Sequence, residues 1–184
     1  MSAEIELGMI ERFIKFYETQ KCEDIYEKLN PHRQKHVSPI TLPDKAFVEQ
    51  WEQVLYQPKG FKEDAPEYYT DKGERVRSKT EILIANALKK HNIPYRYEAP
   101  LYLNEFGTIH PDFTVLNVPL RKELYWEHMG MMDNSDYAQD AVRRIEMYEK
   151  NDIFPGDRLV LTYETSRYPM NSRMIEKMIF HYLK

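Results

Sequence analysis

From Ser78 onward the apolar residues of this chain switch between two periodicities, and that alternation narrows the fold more than any single motif does. Ser78-Lys79-Thr80-Glu81 opens a segment in which Ile82, Leu83, Ile84, Ala87 and Leu88 recur at helical spacing. The segment stops near His91-Asn92, ahead of Ile93-Pro94. Tyr95 to Glu98 alternates as a strand does and runs on towards Leu101-Tyr102-Leu103. After the turn at Asn104-Glu105-Phe106-Gly107, a second strand is expected from about Thr108 to Leu116. A third is expected from about Lys122 to Glu127. Next comes a helix from about Asp136 to Lys150, with Ala138, Ala141, Val142, Ile145 and Tyr148 on one face. Pro155-Gly156-Asp157 is a turn. The run from Arg158 to Glu164 has a continuous apolar centre, which suits a strand buried on both faces. Asn171 to Leu183 closes the chain as a helix, with Met174, Ile175, Met178 and Ile179 inward. The order helix, three strands, helix, strand, helix predicts an α/β domain layered on one mixed sheet.

The first part of the chain reads differently. Ile10, Phe13, Ile14 and Tyr17 lie at helical spacing, and Cys22, Ile25, Tyr26 and Leu29 continue a similar stripe until Asn30-Pro31 ends it. Such a stripe is a packing face, for the domain or for a partner chain, a second copy included. His32, Arg33, Lys35 and His36 make the following loop basic. Thr41 to Asp44 starts a short amphipathic helix carrying Phe47, Trp51, Val54 and Leu55, and a long charged loop covers 57–76. The expected division is therefore a helical extension and loop over 1–74 and a domain over 75–184.

Composition excludes several function classes. No run approaches membrane-span length, and Met1-Ser2-Ala3-Glu4 lacks a secretory leader's pattern. Cys22 is the only cysteine, so no internal disulfide can form and a cytoplasmic setting fits. A net charge of -4 argues against binding nucleic acid through a bulk basic field, although a bound metal would supply local positive charge. There is no glycine-rich phosphate loop, no metal-spaced cysteine pair and no nucleophile elbow.

The chemistry-bearing residues cluster at the ends of two expected strands. His110-Pro111-Asp112-Phe113 opens one, and Tyr125-Trp126-Glu127-His128 closes its neighbour after the connection from Asn117 to Lys122. In a hairpin of that length an acid at the start of one strand can face an acid at the end of the next. Two carboxylates brought together repel unless a cation lies between them or one holds a proton. Two strand-end acids pointing at water would satisfy the spacing equally well.

The order α-β-β-β-α-β, with Glu81 in the first helix, Pro111-Asp112 on strand two and Glu127 closing strand three, resembles the PD-(D/E)xK nuclease superfamily, the restriction-endonuclease-like fold. Tyr125-Trp126-Glu127-His128-Met129-Gly130 resembles a subgroup with a Tyr-Trp-Glu-His-x-Gly signature, as do Met131-Met132-Asp133, Arg144-Ile145-Glu146-Met147-Tyr148 and Pro155-Gly156. The resemblance covers roughly residues 75–180. It implies a Mg²⁺- or Mn²⁺-dependent DNA nuclease. Asp112 and Glu127 would hold the metal with the His128 backbone carbonyl, and Glu81 would hold a metal-bound water or second ion. Related segments occur fused to helicases, so a helicase or other protein partner is implied as well as DNA. The family's lysine falls at Met129, which is the main departure. Arg144, or Arg143 beside it, would supply the positive group, with His128 a further candidate, and Arg75, Arg77, Lys79 and Arg143 would contact the nucleic acid's phosphates.

Each of these residues has a plainer role to set beside the catalytic one. Ser78-x-x-Glu81 is a capping box. Arg144 can pair with Asp140, one turn back. A chain with Met129 in place of the lysine also fits a catalytically inactive module of the same fold that binds DNA or a protein.

Overall fold

The computed structural model describes residues 3–19, 25–26 and 28–184. Cys22 lies outside them. The chain divides into two compact units, Met1–Trp51 and Glu52–Lys184. In the first unit, helices α1 (Ala3–Thr19) and α2 (Pro31–Gln34) precede α3 (Asp44–Glu52). Asn30 does not simply end a helix. Its side chain accepts the His32 amide and caps α2, whose first residue is Pro31. Ile10, Phe13, Ile14 and Tyr17 of α1 are all exposed.

The second unit starts with a short antiparallel pair, β1 (Tyr68–Tyr69) and β2 (Arg75–Val76), that belongs to the loop region ahead of the first long helix. The elements that follow are α4 (Lys79–Lys90), β3 (Tyr95–Tyr97), β4 (Leu101–Leu103), β5 (Gly107–Ile109), β6 (Phe113–Asn117), β7 (Lys122–Met129), α5 (Ser135–Glu149), β8 (Leu159–Tyr163) and α6 (Ser172–Leu183). A mixed sheet runs in the order β3-β6-β7-β8. Its first two pairings are antiparallel, and β7 and β8 are parallel across α5. The crossover helix is what a parallel neighbour requires.

Two of the expected strands are each broken in half. Glu98 adopts φ 46 between β3 and β4, and Pro111 interrupts the run between β5 and β6. A left-handed residue and a proline both stop a ladder. β4 and β5 therefore peel away as a separate hairpin while β3 and β6 stay in the main sheet.

Strand alternation sorts the core into two layers. Phe113, Val115, Leu124 and Trp126 pack on Ile84 and Leu88 of α4 and on Ile175, Ile179 and Leu183 of α6. Tyr125 and Leu159, pointing the other way, pack with Tyr148 of α5, Ile153, Leu103 and Ile109. The sheet is thus covered on both faces. Glu127 falls on the α5 side with Tyr125, and His128 on the α4–α6 side with Trp126.

The inward face of α5 differs from the expected stripe. Ala141 and Tyr148 are buried, but Val142 is 64% exposed. The face towards the sheet is Tyr137, Ala141, Arg144 and Tyr148, at spacings of four, three and four. Those spacings lie on one side of a helix. Met174 of α6, expected inward, is 43% exposed. Among the described residues no helix is long and apolar enough to cross a membrane.

Candidate active site

Phe113 pairs with Trp126 in the β6–β7 register, and one step further along that register sets Asp112 opposite Glu127. Opposite residues of an antiparallel pair project to the same face. Asp112 Oδ2 accepts the His128 backbone N–H at 2.7 Å, and its own carbonyl accepts the Glu98 N–H at 3.1 Å. The acid is therefore held by the backbone on both sides.

Glu127 is 3% exposed and is answered by α5. Arg144 approaches Glu127 Oε1 with Nε at 2.9 Å and Nη2 at 2.7 Å, and Nη2 also donates to the His110 carbonyl at 2.6 Å. Tyr148 O–H donates to the same Oε1. Arg144 pairs with Glu127 rather than with Asp140. A buried carboxylate without such partners would cost several kcal/mol, on the order of what isolated buried charges cost.

Each of the two acids keeps one oxygen clear of the protein. Among the described residues nothing donates a hydrogen bond to Asp112 Oδ1 or to Glu127 Oε2. Both acids line a cavity of about 410 Å³, together with Lys59, Arg77, Glu98, His110, Met129, Tyr137 and Arg144. Burial, reinforced by the nearby Glu127 and Glu81 charges, pushes the Asp112 carboxyl well above its ordinary range, against the pull of the His128 N–H and Arg144. Burial raises Glu127 too, opposed by Arg144 and Tyr148. Burial also works against the Arg144 charge, but Glu127 outweighs it and the guanidinium stays charged.

Glu81 lies on the inward face of α4, in line with the buried Ile84, Ala85 and Leu88. Its carboxylate is fully engaged at the helix start. Oε1 accepts Ser78 Oγ–H at 2.9 Å, and Oε2 accepts the Arg77 amide at 2.8 Å and Tyr97 O–H at 2.7 Å. The Ser78 Oγ in turn accepts the Glu81 amide. This is the reciprocal cap anticipated for Ser78-x-x-Glu81, displaced by one residue to the Arg77 amide. Glu81 acts on the pair of acids through its charge and offers no free oxygen.

The His128 imidazole is on the opposite face from Glu127. Nδ1 lies 3.1 Å from Thr162 Oγ1, and Nε2 lies 3.2 Å from Glu164 Oε1. Thr162 also accepts the Trp126 indole N–H at 3.0 Å, and Thr80 donates to Glu164 at 3.0 Å. His128 thus reaches the acids only through its main chain.

The four expected phosphate contacts divide in two. Arg75 Nη2 donates to the Ala65 carbonyl at 2.7 Å. Arg77 bonds both oxygens of Glu98 and the carbonyls of Lys59 and Gly60. Both guanidinium groups stack on Phe61, at 4.5 and 4.6 Å. Lys79 and Arg143 are exposed at the surface.

Sequence reasoning missed Lys59, His110 and Tyr137 as cavity residues and Tyr148 as a partner of Glu127. The position of Tyr148 four residues after Arg144 was a usable signal. Lys59 gave none, because its contact with the site depends on how a loop folds.

The two acids fit a hard divalent cation. Mg²⁺ is commonly held by one or two carboxylates, with waters and substrate oxygens completing the shell. No group of three or more His, Cys, Asp or Glu side chains that could hold a metal occurs among the described residues. A site here rests on the pair alone and leaves coordination positions open.

Comparison with known proteins identifies a relative, an uncharacterized protein of Methanocaldococcus jannaschii. It is 31% identical over 122 residues, a match covering 59% of this chain and 10% of the relative. The chain spans about a tenth of the length of the curated relative it matches. No family model and no solved structure matches the chain.

Proposed function

We propose that the chain is a divalent-metal-dependent nuclease that hydrolyses DNA phosphodiester bonds, built on a restriction-endonuclease-like core. One observation carries the reading: Asp112 and Glu127 stand opposite each other across β6 and β7, both line one cavity, and each has one oxygen to which no described group donates a hydrogen bond. A bound Mg²⁺ or Mn²⁺ would supply Lewis acidity at the phosphate and lower the pKa of an attacking water.

The chain's own residues have separable roles. Asp112 and Glu127 would hold the ion. The His128 N–H orients Asp112, while Arg144 and Tyr148 keep Glu127 in place. Arg144 cannot serve as a base at ordinary pH, so it acts by balancing phosphate charge at the cavity wall. Met129 lines the cavity where the resemblance would put a lysine, and it contributes no proton chemistry.

A second reading, an inactive module that binds DNA or a protein, draws on Glu81. Both of its oxygens are committed to the start of α4, which removes the assisting acid. The inward Arg144 favours the enzyme. Cleavage of labelled single-stranded, duplex and branched DNA with Mg²⁺, Mn²⁺ or EDTA separates the two, with Asp112→Ala alongside. Metal-dependent cutting that vanishes in the variant is the expected result. No cutting of any substrate, together with no Mn²⁺ binding by calorimetry, would rule the enzyme out.

A further inference from the structure

Three Lys or Arg residues line the cavity, and the side chains of two of them are already matched. Arg144 is held by Glu127, and Arg77 is held by Glu98 at 2.6 Å. The Lys59 ammonium makes no hydrogen bond or ion pair among the described residues, and it is exposed. Among the residues lining this cavity, Asp112 and Glu127 therefore each keep a clear oxygen, and Lys59 is the Lys or Arg whose side chain has no partner among the described residues.

The loop that carries Lys59 is held in place. Arg77 Nη2 donates to the Lys59 carbonyl at 3.2 Å and to the Gly60 carbonyl at 3.0 Å. The Arg75 and Arg77 guanidinium groups both lie on the Phe61 ring. Arg77 in turn is anchored to Glu98, a buried residue in the left-handed region at φ 46. A non-glycine residue held in that region at a cavity wall marks a place where surrounding contacts impose the backbone.

We propose that Lys59 is the phosphate-binding cation of this cavity, reaching the rim from the loop ahead of β1 and supplying the charge that Met129 lacks. This deepens the nuclease reading and rests on it for the identity of the ligand, a DNA phosphate. In this arrangement Arg77 is a positioning residue that fixes the Lys59 backbone. Lysine suits the task as a compact point charge on a flexible stem, able to follow a phosphate that is not presented in one fixed orientation.

The test uses the full chain and a labelled DNA duplex with its matching single strand, first in EDTA. Lys59→Ala is expected to weaken DNA binding roughly tenfold at moderate salt, the lower end for a hydrogen bond to a charged group. It should also flatten the log–log salt dependence for duplex by about 0.9, the loss of one phosphate contact. Lys59→Arg should retain most of the affinity. Lys62→Ala, on the same loop but outside the cavity, should bind as the unmodified protein does. Mn²⁺ binding should be unchanged in Lys59→Ala and lost in Asp112→Ala. If Lys59→Ala and Lys62→Ala bind DNA alike, or if the unmodified protein binds no DNA, the proposal is overturned. If Lys59→Ala loses affinity but no substrate is cut with any metal, the phosphate site stands and the nuclease reading fails.

Discussion

Removing Arg144 isolates the electrostatics of the site from its chemistry. Arg144→Ala deletes two contacts to Glu127 Oε1 and one to the His110 carbonyl, and leaves Glu127 with Tyr148 alone. Breaking a buried ion pair by removing one partner costs about 3–5 kcal/mol, and the figure here should sit near 3 kcal/mol because the Arg144 side chain is 32% exposed. The sign with pH follows from Glu127. Its carboxyl is already raised by burial, and losing Arg144 raises it further. A carboxyl raised in the folded state weakens folding once the pH exceeds its ordinary range, and the weakening is complete above its folded value. The cost of Arg144→Ala should therefore be full in mildly alkaline buffer and shrink as the pH falls towards the ordinary glutamate range. Urea unfolding followed by fluorescence of Trp126, in a Trp51→Phe background, reports on the second unit alone. Glu127→Gln added to Arg144→Ala should recover most of the loss, because it removes the charge left unpaired. A cost that does not change with pH, or a double variant no more stable than Arg144→Ala, would refute the account.

Because Asp112 and Glu127 are both raised in the metal-free protein and must be ionised to bind a cation, Mn²⁺ binding should release protons and weaken as the pH falls. Calorimetry in two buffers of different ionisation enthalpy detects this, and identical heats would contradict it. Glu81→Ala should destabilise the second unit by about 1–2 kcal/mol through loss of the cap, with Mn²⁺ affinity largely kept. A large loss of Mn²⁺ affinity would instead make Glu81 a ligand.

The β6–β7 hairpin was legible because two apolar runs flank a short connection containing Asn117 and Pro119, and the facing acids followed from its register. Glu81 was legible only as a choice between cap and ligand. The choice was made by Tyr97 and the Arg77 amide, groups that a linear reading cannot bring together. Arg144 was legible as a candidate, while the stripe expected on its helix included Val142, which the structure exposes. Apolar spacing ranks side chains by transfer energy alone. Near Glu127 a buried carboxylate makes an inward arginine and tyrosine more favourable than an inward valine.

From Ser78 onward the chain's own pattern determined the order of the long helices and of the main-sheet strands, the mixed sheet and the two acids at one strand end. These depend on periodicity and on connections a few residues long, where backbone geometry leaves little choice. Tertiary structure alone decided that the His128 ring faces Thr162 and Glu164, that Arg75 and Arg77 clamp a loop, and that Lys59 reaches the cavity. Those outcomes depend on which charges and hydrogen-bond donors meet across long separations. That is settled by burial and pairing in the folded chain, for which the sequence carries no local signal.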